Sequence, residues 1–177
     1  PDLIAFAKGV TSGYLPLGGV IAAPGIAAPF WSGEAGFMHG QTYSGHPVCC
    51  AAALANLDVL AADGLVHRAR EQEGWFHDAI STLADHPLVG EVRGKGLLAG
   101  VELMNNAEAR ARFEPKLKAG ALCARIAEQH GLIVRAIGDT IAFCPPLIIS
   151  ETEIEEMLAR FRRALDDTAR ELGITRS

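Results

Sequence analysis

The stretch that most constrains this chain is Phe6-Ala7-Lys8-Gly9-Val10-Thr11-Ser12-Gly13-Tyr14-Leu15-Pro16-Leu17-Gly18-Gly19, in which Lys8 is the sole cation. The apolar run Leu3-Ile4-Ala5-Phe6-Ala7 ends at that lysine, and a turn rich in Gly, Ser and Pro follows. A run without alternation, bounded by turn residues, predicts a strand covered on both faces, as in a parallel sheet under helices. Lys8 then lies at the strand's C-terminal end, the edge at which open α/β sheets bind ligands. A lysine amine held against apolar surroundings is available as a nucleophile toward carbonyl groups. The plainer reading is a lysine that snorkels to water past the strand end.

The segment from Pro1 to Val20 closely resembles the cofactor-lysine segment of class III aminotransferases, the fold-type-I group that includes the ω-amino acid and amine:pyruvate transaminases. A second block, Phe37-Met38-His39-Gly40-Gln41-Thr42-Tyr43-Ser44-Gly45-His46-Pro47, follows at the family's interval. The resemblance implies an α/β fold in two parts. Residues 1–84 are expected to be the C-terminal part of a large pyridoxal 5'-phosphate-binding domain with a mostly parallel sheet, and residues 85–177 a small α+β domain. Lys8 is implied to hold the cofactor as a Schiff base and to carry the catalytic proton. Thr42 and the backbone of Gln41 are implied to reach the cofactor phosphate of the neighbouring subunit, which makes a homodimer with shared active sites the expected assembly. Read from the residues alone, Thr42 is a turn threonine bonding its own backbone before it is a phosphate ligand near a helix start.

Composition narrows the alternatives. Of 177 residues, 49% are hydrophobic and 21% charged, which suits a globular protein with a sizeable core. A formal net charge of -5 leaves no basic footprint for nucleic acid or an anionic membrane. No apolar run approaches the roughly 18 residues of a membrane span. Four cysteines, two of them adjacent at Cys49 and Cys50, fit a reducing, cytoplasmic setting better than a disulfide framework. His39, His46, Cys49 and Cys50 match no zinc spacing, and no metal is expected. The chain opens without Met on Pro1-Asp2, directly before a strand, and is expected to be a C-terminal fragment that is inactive alone, with an exposed hydrophobic sheet edge.

Along the chain, Gly19–Ala23 predicts a second buried strand, and 26–31 a short helix or loop. Pro47 suits the first turn of a helix running to about Leu60, apolar nearly all round and so expected to be buried. One amphipathic helix is expected from Leu65 to about Ala84. The remainder reads strand, strand, helix, hairpin, helix. The strands are 89–92 and 97–103, the helix 117–130 closes at Gly131, and the hairpin joins 132–136 to 140–143. Ser150 with Glu153 predicts a capping box on the last helix, whose stripe includes Ile154, Leu158, Phe161 and Leu165.

Two arginines are candidates for substrate. Arg93 lies between Val92 and Gly94 and reads mainly as structural. Arg135 interrupts the apolar run Leu132-Ile133-Val134-Arg135-Ala136, where an unpaired guanidinium requires an anionic partner or an exposed face. The resemblance makes Arg135 the fork for the substrate carboxylate, expected to swing aside for amines that lack one. The implied reaction moves an amino group from an amine or ω-amino acid to a keto acid, pyruvate for preference. Two other readings stand beside it: another reaction on the same scaffold, such as an aminomutase or decarboxylase, and a non-catalytic ligand-binding module in which Lys8 is structural.

Overall fold

A computed structural model describes residues 1–174. The chain forms two compact units, one from Pro1 to Gly64 and the other from Leu65 onward. Its mixture of helices and strands is the α/β class expected.

In the first unit, β1 (Leu3–Ala7) pairs antiparallel with β2 (Gly18–Ala22), Ala5 opposite Val20. The helix α1 (Pro24–Trp31) and, after an irregular stretch, α2 (Pro47–Ala62) complete it, each with proline in its first turn where the missing N–H costs nothing. Three expectations need correction here. The pairing of β1 is antiparallel, and no parallel strand pair occurs among the described residues. Leu3, Ile4, Val20 and Ile21 are exposed rather than covered, because no described helix lies over either face of the ribbon. On α2 only Cys49 and Ala53 are buried, since the helix packs chiefly on the turn that follows β1, leaving Leu54, Leu57 and Val59 open.

The second unit is a four-stranded antiparallel sheet in the order β3-β4-β6-β5 with helices packed against it. Its strands are β3 (Val89–Lys95), β4 (Leu98–Leu103), β5 (Arg135–Ile137) and β6 (Thr140–Phe143). The expected helix over 65–84 is divided at Gln72 into α3 (Leu65–Glu71) and α4 (Glu73–Ser81), followed by a 3-10 turn at Thr82–Asp85. Gly74, a poor helix former, lies just past the break. Phe76, Ile80 and Leu83 of this segment are wholly buried in the second unit's core. The contacts therefore divide the chain upstream of the boundary drawn by resemblance at 84/85.

The helices α5 (Ala119–Gln129) and α6 (Glu151–Leu172) complete the unit. Ile154, Leu158, Phe161 and Leu165 of α6 lie in the core, with Phe161 edge-on to Phe143 at 4.9 Å. Burying each large apolar side chain contributes roughly 1.5–3 kcal/mol before conformational entropy is subtracted. The predicted capping box forms: Ser150 Oγ accepts from Glu153 N, and Glu153 Oε2 accepts from Ser150 N at 2.8 Å. The hairpin is tighter than expected, with Ile137 in β5 opposite Thr140 and only Gly138-Asp139 in the turn. Arg93 lies inside β3 rather than in the connection after it.

Candidate active site

Lys8 directly follows β1 and opens a 3-10 turn over Lys8–Thr11. Its backbone is left-handed at φ 49°, as is that of Ser12 at 52°, a conformation costly for residues with a Cβ. Side-chain bonds from Thr11 and Asn56 hold this turn. Thr11, 1% exposed, donates from Oγ1 to Leu15 O at 2.6 Å, while Asn56 Nδ2 of α2 donates to the carbonyls of Gly9 and Val10, each at 3.1 Å. Neither residue was singled out from the sequence. A lone asparagine within the apolar run Cys50–Leu57 was the available signal.

Lys8 lines an open concavity of about 720 Å³ with Tyr14, Leu15, Pro16, Gly18 and Gln41. Its ammonium has no ion pair or hydrogen bond among the described residues, and no other Lys or Arg occurs before Arg68. The apolar enclosure expected around it is absent, for Lys8 is exposed. Gln41 shares this concavity within the same chain, its backbone N–H donating to Ser44 Oγ at 3.3 Å. Thr42 begins the turn after it, is exposed, and makes no side-chain hydrogen bond among the described residues. At the start of α2, His46 provides no side-chain cap, so the first-turn N–H groups have no such partner. An unpaired amine, a free hydroxyl and uncapped N–H groups fit a carbonyl-bearing phosphate such as pyridoxal 5'-phosphate.

Arg135 is the first residue of β5 and is exposed, satisfying the second of the two conditions set by its sequence. Pairing aligns Arg135, Ala142, Gly100 and Arg93 in one row across β5, β6, β4 and β3. The two arginines at its ends differ in charge environment. Arg93 is held by Glu102 at 2.9 Å and Glu91 at 3.6 Å, while Arg135 has no ion pair or hydrogen bond among the described residues. Arg93 is thus committed within the sheet, and Arg135 is free to take an anion.

The turn beside Arg135 contains another contributor missed in the sequence. Asp139 Oδ1 accepts from Gly120 N at 3.0 Å, capping α5 from across the fold, whereas the residue before α5, Lys118, provides no side-chain cap.

Lys8 thus offers an unpaired amine at a strand end of the first unit, and Arg135 an unpaired, exposed guanidinium in the second. Residues 1–165 match the family model Aminotransferase class-III, and the chain belongs to that family. It is 44% identical over 170 residues to the putrescine–pyruvate aminotransferase of Pseudomonas aeruginosa, covering 96% of this chain and 37% of that one. It is 42% identical over 172 residues to the diaminobutyrate–2-oxoglutarate transaminase of Halomonas elongata, covering 94% and 37%. Among solved structures, a thermostable (S)-enantioselective omega-transaminase from Thermomicrobium roseum superposes with a TM-score of 0.89 at 43% identity, over 95% of this chain and 38% of that one. The omega-transaminase of Pseudomonas jessenii in complex with PMP gives 0.88 at 40%, over 99% and 40%. The chain therefore spans less than two-fifths of the length of these curated relatives.

Proposed function

We propose that this chain contributes the cofactor lysine and the carboxylate-binding arginine of a pyridoxal-phosphate-dependent transaminase, which moves an amino group from an amine or ω-amino acid to a keto acid such as pyruvate. The observation that carries the reading is Lys8: an unpaired amine after a strand, in a strained turn pinned by Thr11 and Asn56, at a concavity it shares with Gln41. Relatives named for pyruvate and for diamine donors support the substrate classes.

Pyridoxal 5'-phosphate, when bound, supplies the electron sink that makes a substrate Cα–H acidic. Lys8 Nζ would hold the cofactor covalently and, once freed, would carry the proton from substrate Cα to the cofactor's C4'. The Thr42 hydroxyl and the Gln41 backbone hold the phosphate, and the Arg135 guanidinium forks onto a substrate carboxylate. We further propose a homodimer in a reducing cytoplasm, supported by the family resemblance and by four unpaired thiols at Cys49, Cys50, Cys123 and Cys144.

The test is borohydride reduction of the product of the intact gene after incubation with pyridoxal phosphate, followed by peptide mapping. The label is expected on Lys8, and Lys8→Ala is expected to abolish it. A label on another lysine, or none, overturns the reading.

A further inference from the structure

We propose that Asp139 is a positioning residue for Arg135: by latching the β5–β6 turn to α5, it sets where the guanidinium meets the substrate carboxylate. The proposal rests on the reading of Arg135 given above and extends it to a residue of the adjoining turn.

The strand carrying Arg135 is poorly secured by itself. It has three residues, lies at the sheet edge, and pairs only with β6. Arg135 is its first residue, and Leu132–Val134 before it form no strand. Two residues of strand, about 7 Å, separate Arg135 from Ile137 at the turn. Any rotation of the hairpin about that turn is therefore carried out to the arginine.

The turn, by contrast, is fixed from three directions. Asp139 Oδ1 accepts from Gly120 N at 3.0 Å, a charge-assisted bond at the end of α5 where the helix dipole favours an anion. Asp139 O accepts from Leu103 N of β4 at 2.8 Å. Gly120 sits so close beneath the turn that a Cβ there would collide with the Gly138 carbonyl oxygen and the Asp139 Cα. Gly138, at φ 59°, supplies the left-handed backbone that the two-residue turn requires. Only the first of these ties depends on the Asp139 side chain, which makes it separable by substitution.

Bidentate recognition of a carboxylate tolerates little displacement, and about 1 Å of misplacement can cost on the order of a hundredfold in rate. A structural defect in the second unit would act alike on every substrate. Loss of the latch acts only on substrates that Arg135 holds.

The experiment compares KM and kcat of the holoenzyme for pyruvate with those for benzylamine, an amine without a carboxylate. Asp139→Ala is expected to raise KM for pyruvate about tenfold and to leave that for benzylamine within about twofold. Asp139→Asn keeps an acceptor oxygen without the charge and is expected to recover most of the loss; where Asp139→Ala does not fold, Asp139→Ser, whose shorter side chain gives up the bond to Gly120 N, takes its place in the comparison. Arg135→Ala alone is expected to raise KM for pyruvate, and Asp139→Ala added to it to have no further effect. Equal changes for both substrates, or additive effects of the two substitutions, overturn the latch. An Arg135→Ala enzyme with unaltered KM for pyruvate overturns the carboxylate role beneath it.

Discussion

The side-chain amide of Asn56 bonds the carbonyl of Val10 across 46 residues of sequence, and with the same nitrogen it takes the Gly9 carbonyl, each at 3.1 Å. A helix that otherwise exposes apolar side chains thus commits its one amide to the turn that begins at Lys8. The two bonds fix the carbonyls that follow a lysine held at positive φ, and Thr11 closes the turn from within.

Asn56→Ala is therefore expected to cost about 1–2 kcal/mol and to slow borohydride trapping on Lys8, because the turn no longer holds its left-handed residue. Asn56→Asp should be worse, since a carboxylate would face two carbonyl oxygens without a proton to donate. Urea melts and the trapping rate check both expectations. An aspartate variant no worse than alanine would remove the hydrogen-bond argument.

The assignment of Thr42 and Gln41 to a phosphate in the neighbouring subunit is testable by complementation. Gln41 lines the concavity of Lys8 in its own chain, so service within one chain is the competing arrangement. Mixing Lys8→Ala and Thr42→Ala subunits gives hybrid dimers in which sharing restores one intact site, carrying wild-type Lys8 from one chain and wild-type Thr42 from the other. Activity well above both parent variants is expected. Hybrids no more active than their parents would assign the two residues to the same chain.

How far the sequence discloses this molecule depends on the range of each signal. Pro47, the Ser150/Glu153 pair and Gly131 are local signals, and each occupies the helix end predicted for it. Lys8 falls at a strand end because an apolar run followed by glycines admits little else. Arg135 stood out because a guanidinium in an apolar run needs a physical reason. Asp139 did not stand out: next to Gly138 it reads as an ordinary turn residue, and only the tertiary fold brings Gly120 N to it. Apolar patterning also marked β1 and α2 as buried, although within the first unit little lies against them.

The capping box offers a stability test. Ser150→Ala should cost about 1 kcal/mol, as loss of a helix N-cap does, measured as a lower urea midpoint. The Ser150 backbone N–H, followed by its hydroxyl, holds the Glu153 carboxyl below its ordinary pKa. A depressed carboxyl contributes stability that is present above its ordinary range and lost as pH falls through the lowered value. The difference between wild type and a Glu153→Gln variant should therefore be present at neutral pH and shrink on acidification. A difference that widens in acid would contradict this sign.

Cys123 sets an opposite pH dependence. Burial raises its thiol from 9.0 to about 11, against a smaller lowering by a hydrogen bond with Thr168. The folded state keeps this proton after the unfolded chain has lost it, so stability is complete below pH 9 and declines from there toward pH 11, at about 1.4 kcal/mol per pH unit. Cys123→Ala is expected to flatten this decline in urea melts, whatever it does to stability at pH 7. Cys144, which is exposed, should react with a thiol reagent under native conditions, while Cys123 reacts only on unfolding. A Cys123 labelled as fast as Cys144 would refute the burial argument.

Two glycines of β3 separate the cost of crowding from the cost of a side chain as such. A Cβ at Gly94 would meet the Leu98 carbonyl oxygen, the His77 ring and the Ala99 Cα; one at Gly90 would meet only the side chain of Met104. Backbone atoms of a paired strand cannot withdraw, whereas a thioether with three rotatable bonds can. Gly94→Ala is accordingly expected to cost about 1–3 kcal/mol or more, as overpacking does, and Gly90→Ala less than about 1.5 kcal/mol. Alanine is the better strand residue of the two, so propensity alone predicts two mild gains rather than a ranked loss. Equilibrium unfolding of both variants decides, and equal midpoints would show that the sheet yields at Gly94 as readily as Met104 does at Gly90.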